Sequence, residues 1–178
     1  MKYATLKILT CFLLVAGVVA CSDQKTDSDQ AANVSEQPSN TKTIDIRKQL
    51  TVYKTPTCGC CGEWVDHVQG SGFKTDVVNQ DTVAHVKDRF GIPANARSCH
   101  TAVSDSGYVF EGHVPAKYME EFLAEAPAQA SGLLVPAMPL GSPGMEVDDK
   151  FQPYRILQLN KDGSVQIYAS ITSYEQQF

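Results

Sequence analysis

Cys58-Gly59-Cys60-Cys61 places three thiols in four residues, between two segments of opposite periodicity. Before it, Leu50-Thr51-Val52-Tyr53 is β-branched and aromatic, and Pro56 closes the run. After it, Cys61, Trp64, Val65 and Val68 recur at i, i+3, i+4 and i+7, the apolar stripe of an amphipathic helix. A strand that passes into a helix at a cysteine cluster faces those sulfurs with unpaired backbone N–H groups and the positive end of the helix. Both favour thiolate over thiol, and the thiolate attacks disulfides and binds soft metals. The motif predicts sulfur chemistry.

The elements around that turn follow in a readable order. Phe73 to Val78 predicts a second strand, entered through Gly70-Ser71-Gly72. Val83, Val86 and Phe90 predict a second helix, stopped by Gly91 before Pro93. Thr101–Val103 and Tyr108–Phe110 flank Ser104-Asp105-Ser106-Gly107, a hairpin signal. Tyr118, Met119, Phe122 and Leu123 mark a third helix between Pro115 and Pro127. Strand, helix, strand, helix, hairpin, helix is the order of a thioredoxin-like α/β domain, a mixed sheet flanked by helices. Beyond Pro127, residues 132–144 hold Pro136, Met138, Pro139, Gly141 and Pro143, with Met145 directly after, and carry no strand or helix period. This C-terminal Gly/Pro/Met stretch is expected to be a long functional loop. Tyr154–Leu159 and Val165–Ser170 flank Asn160-Lys161-Asp162-Gly163 and predict a final β-hairpin, extending the sheet or covering one edge of it.

The N-terminal region has a different character. Lys2 and Lys7 precede an apolar run from Ile8 to Ala20, too short for a typical spanning helix but suited to a secretory signal. Val18-Val19-Ala20 before Cys21 resembles a bacterial lipobox, so residues 1–20 are expected to be removed and Cys21 acylated. Ser22 lacks the aspartate associated with inner-membrane retention, which favours the outer membrane; ordinary secretion with a spare thiol at Cys21 is the alternative. Residues 21–44 are polar and read as a flexible tether, leaving 45–178 as one folded domain. Removing residues 1–20 takes away two lysines and no acid, moving the net charge from −5 to −7. An acidic body without a basic cluster excludes nucleic acid as the expected partner.

The fold reading carries a geometric expectation. The cysteine turn lies beyond the end of the first strand; an antiparallel third strand starts there, and the fourth finishes there. Cys99 and His100 precede that third strand, and Gly112 and His113 follow the fourth. Four cysteines and two histidines are therefore expected on one rim, although Cys58 and His113 are 55 positions apart. Two plain structural disulfides remain an alternative, but three clustered sulfurs staple little chain. Thioredoxins normally have a cis-proline where Cys99-His100-Thr101 stands, which puts simple thioredoxin activity in doubt.

Thr57-Cys58-Gly59-Cys60-Cys61, Ser98-Cys99-His100-Thr101-Ala102, Glu111-Gly112-His113-Val114-Pro115 and residues 138–145 (Met-Pro-Leu-Gly-Ser-Pro-Gly-Met) resemble the CopG family. That family comprises periplasmic copper-resistance proteins with a thioredoxin-like core. The resemblance spans roughly residues 50–172 and implies that Cys58, Cys60, Cys61 and Cys99 bind copper.

Soft thiolates select Cu(I), zinc or iron–sulfur clusters. Structural zinc more often takes two separated Cys-x-x-Cys knuckles. Consecutive Cys60 and Cys61 should not turn easily toward one tetrahedral ion, so a thiolate-bridged Cu(I) cluster is expected. His100 and His113 are candidate ligands, since imidazole suits both Cu(I) and Cu(II). Met138 and Met145 are possible thioether donors, with gap filling as the commoner use. Trp64 is expected under the motif; His67, His85, Glu63 and Asp66 are expected at the surface. Cys58 and Cys61 also have the spacing of a thiol–disulfide oxidoreductase, and a copper chaperone serving an unidentified partner is a third reading.

Overall fold

The computed structural model describes residues 46–178. The expected signal segment, the tether and Cys21 lie outside the described residues. Among these residues, three α-helices and seven strands follow in chain order. They are β1 Gln49–Lys54, α1 Gly59–Gly70, β2 Lys74–Asn79, α2 Ala84–Arg89, β3 Thr101–Ser104, β4 Val109–Glu111, α3 Ala116–Ala124, β5 Ala130–Leu134, β6 Tyr154–Asn160 and β7 Val165–Ile171. The strands form one mixed sheet in the order β2-β1-β3-β4-β5-β6-β7. As the sequence predicts, β1 and β2 are parallel, while β3 runs antiparallel to both β1 and β4.

Alternation on the strands sorts the core onto two faces. Leu50, Val52, Ala102, Phe110, Leu133 and Ile156 pack with Trp64, Val65 and Val68 of α1 and Met119, Phe122 and Leu123 of α3. A smaller cluster of Ile92, Ala96, Val109, Leu134 and Leu159 fills the other face. Helix α1 buries Cys61, Trp64, Val65 and Val68, the four positions of the predicted stripe. Its N-cap is Cys58, in extended conformation, so the helix begins inside the cysteine motif.

One expectation fails. The stretch beyond Pro127 is not loop from its start, because Ala130–Leu134 forms β5, parallel to β4. With Ala130, Gly132, Leu133 and Leu134 buried, both faces of this strand are covered and no polar–apolar alternation marks it. Gly132 is required there: a Cβ would fall 1.9 Å from the carbonyl oxygen of Val109. Because β5 is present, the final hairpin extends the sheet, with β6 pairing to β5. The irregular segment shrinks to residues 135–153.

Candidate metal centre

Register sets the rim. Tyr53 of β1 pairs with Thr101 of β3, and Thr101 pairs with Glu111 of β4. Cys58, Cys99–His100 and His113 lie just beyond that row. The Cys58 N–H donates to the Thr55 carbonyl at 3.2 Å, closing the turn from β1 into α1. As a result the sulfurs of Cys58, Cys60, Cys61 and Cys99 all lie within 4.8 Å of one another.

Cys58 and Cys61 are joined as a disulfide, with 5.4 Å between their Cα atoms, while Cys60 and Cys99 are free among the described residues. The Cys58 and Cys60 sulfurs are 3.6 Å apart. A tetrahedral four-sulfur site with metal–sulfur bonds of about 2.3 Å has sulfur–sulfur edges of about 3.8 Å. The Cys58–Cys60 distance is near that edge, and with the disulfide formed the cluster offers two thiols. Adjacent Cys60 and Cys61 have sulfurs within 4.8 Å of each other, with Cys61 held in the disulfide.

Cys99 belongs to a second group. Its sulfur lies 3.1 Å from His113 Nε2 and 3.3 Å from His100 Nδ1. On the far side of His113, Nδ1 sits 2.8 Å from the Pro143 carbonyl oxygen. A carbonyl only accepts, so Nδ1 carries the proton and the Nε2 lone pair faces Cys99. His100 is fully buried, 4.4 Å from the Trp64 ring and 5.1 Å from the His113 ring by centroids. Its Nε2 is buried without a hydrogen-bond partner among the described residues.

Burial pushes the Cys99 thiol up to about 11, and the neighbouring Cys60 adds to the rise. At neutral pH Cys99 is thus a thiol, and a metal must displace its proton. Burial holds the His100 imidazole well below the usual range, helped by His113, Lys87 and Lys54. Burial also lowers His113, against the opposing influence of the Pro143 carbonyl and Glu146. Both rings are therefore neutral near pH 7, the form that ligates metals.

Glycines let the loops close on this site. Gly112 has φ 70°, and a Cβ there would meet Val135 O at 2.5 Å and the Ser98 side chain at 2.6 Å. Gly144, at φ 83°, would place a Cβ 2.6 Å from both Cys60 O and Trp64 N. The Gly/Pro loop therefore lies directly on the first turn of α1. The contact that ties it to His113 is the Pro143 carbonyl, which sequence reading had no means of selecting. Met138 stands about half exposed and Met145 is half-buried. Trp64 is buried as expected, with its indole N–H donating to Val114 O at 2.9 Å. Glu63, Asp66 and His85 are exposed as expected. His67 is not an ordinary surface residue: it is half-buried, and its Nε2 accepts the Ala116 N–H at 3.0 Å, satisfying the start of α3. Among the described residues, no helix is long and apolar enough to cross a membrane.

A mixed seven-stranded sheet with a thiol and imidazole cluster at one rim defines a metal-binding class of α/β protein. Two solved structures are similar to the chain, a copper resistance protein CopG in form 1 and form 2. Each is 36% identical, with 70% of this chain and 98% of that chain covered, at TM-scores of 0.65 and 0.66. The family described as "Protein of unknown function, DUF411" matches residues 96–145, which carry Cys99, His100, His113 and the Gly/Pro loop. None of the curated proteins matches. The chain belongs to the CopG copper-resistance family.

Proposed function

We propose that this chain is an extracytoplasmic copper-binding protein that holds Cu(I) in a thiolate-bridged site built from Cys58, Cys60, Cys61 and Cys99, with His100 and His113 at its border. The observation that carries this reading is the placement of four sulfurs from two distant segments within 4.8 Å, with Cys99 shared by a second group of two neutral imidazoles. Thiolates favour Cu(I), and imidazole accommodates either oxidation state. His100 Nδ1, 3.3 Å from the Cys99 sulfur, supports a nitrogen donor on the same side as the thiols. Cu(I) titration of the anaerobically reduced chain tests it. More than one copper per chain is expected, with fewer while the Cys58–Cys61 disulfide is intact; a ceiling of one copper defeats the bridged site.

The disulfide itself favours a second, compatible reading in which Cys58 and Cys61 exchange electrons with copper. The reduced pair would give one electron to each of two Cu(II) ions, leaving a disulfide, two Cu(I) and two released protons. A pure thiol–disulfide oxidoreductase needs only those two cysteines. Cys60→Ser and Cys99→Ser that left copper tolerance and copper binding intact would therefore favour it over the metal site. The reading also includes removal of residues 1–20 and acylation of Cys21, which would tether the domain to a membrane, the outer one preferred. Metabolic labelling with a fatty acid checks this, since unlabelled mature protein rules the anchor out.

A further inference from the structure

A fully buried carboxylate, Glu111, ends the short strand β4, two residues before His113. It accepts three hydrogen bonds. The Ser98 N–H and Lys87 Nζ reach Oε1, each at 2.6 Å, and the Thr101 hydroxyl reaches Oε2 at 2.6 Å. Lys87, itself buried on α2, also donates to the Thr101 hydroxyl at 3.0 Å. Ser98 and Thr101 are the residues on either side of Cys99-His100. One side chain thus grips both ends of the Cys99–His100 pair and sits on the strand that delivers His113. A buried ion pair is weak evidence of a stabilising role, because desolvation offsets the attraction. Its placement here is better explained by geometry: sharing of Cys99 between the sulfur cluster and the two imidazoles requires that these segments keep their spacing.

We propose that Glu111, neutralised by Lys87, is the positioning residue that fixes Cys99 and His100 against His113. For its metal readout alone the proposal rests on the copper reading above. Two double variants of the full chain separate positioning from stability, since neither leaves an unpaired buried charge. In Lys87→Met/Glu111→Gln the amide oxygen can still accept the Ser98 N–H, and the amide nitrogen can donate to Thr101. In Lys87→Met/Glu111→Leu all three bonds are gone. Iodoacetamide alkylation of Cys99, followed by peptide mass mapping on metal-free protein with the disulfide intact, reads the position of that thiol without copper. The glutamine variant is expected to alkylate within about twofold of the parent and the leucine variant about tenfold faster, both melting cooperatively. Competition with a chromophoric Cu(I) chelator on reduced protein should then show about tenfold weaker binding in the leucine variant only. Equal alkylation rates in the two variants overturn the proposal, as does loss of cooperative folding in both, which would make the network part of the fold itself. If Cys99 responds as expected while the parent fails to compete for Cu(I), the copper reading falls and the positioning role stands.

Discussion

The two sides of the metal centre are built differently. Cys58, Cys60 and Cys61 come from one local turn, their spacing set by the first turn of α1, with Cys58 and Cys60 half-buried and two sulfurs already paired. Cys99 and His100 come from one segment and His113 from another; they are held by the buried hydrogen bond of His113 to Pro143 and by the Glu111 network. The first side can change its ligand number by gaining or losing a disulfide. The second is preorganised and redox-silent within itself, having a single sulfur. The Cys99 sulfur also lies within 4.8 Å of the first side's three sulfurs, so it is where a labile half and a fixed half would share metal.

That contrast can be broken most severely at the shared residue. Cys99→Ser should weaken Cu(I) binding about a hundredfold or more, measured by chelator competition on reduced protein, and should lower the number of ions held. Cys60→Ser removes a donor from one side only and should cost less; equal losses would erase the distinction. Next is the fixed side's backbone. Gly112→Ala puts a methyl group into Val135 O at a positive φ and should destabilise the chain by about 3 kcal/mol in urea unfolding. Trp64→Phe keeps the ring under His100 but leaves Val114 O without its donor, at a cost of about 1 kcal/mol by the same assay. The smallest effect concerns His67, outside the centre. Burial lowers its pKa, so between the folded and unfolded values the unfolded chain binds the additional proton. Stability should therefore rise with pH through the region below 6.5 and be lost on acidification, when the Ala116 N–H loses its acceptor. His67→Gln should reduce that slope in urea melts at pH 5 and pH 7, His100 and His113 supplying the remainder.

Much of this was legible in the sequence because it rests on periodicity. The α1 stripe, the parallel β1–β2 pair and the antiparallel β3 follow from apolar spacing and turn residues, and strand direction alone brings Cys99 and His113 to the Cys58 rim. What was not legible lacks a local signal. Strand β5 is buried on both faces, so its residues do not alternate and its Gly132 reads as loop. Nothing in the local sequence marks Glu111 as buried, and only the fold shows that Lys87, 24 residues earlier, meets it at 2.6 Å. Pro143 acts through its backbone carbonyl, which no side-chain pattern reveals. His67 reads as a surface residue until the N-terminus of α3 is placed against it.

Copper K-edge absorption on the anaerobically reduced, copper-loaded full chain, set beside Cys99→Ser, addresses the sharing of metal between the two sides most directly. The expected result is a sulfur coordination shell with a short copper–copper neighbour in the parent and loss of that neighbour in the variant. Coordination by nitrogen and oxygen alone, or a spectrum that Cys99→Ser leaves unchanged, would contradict the account.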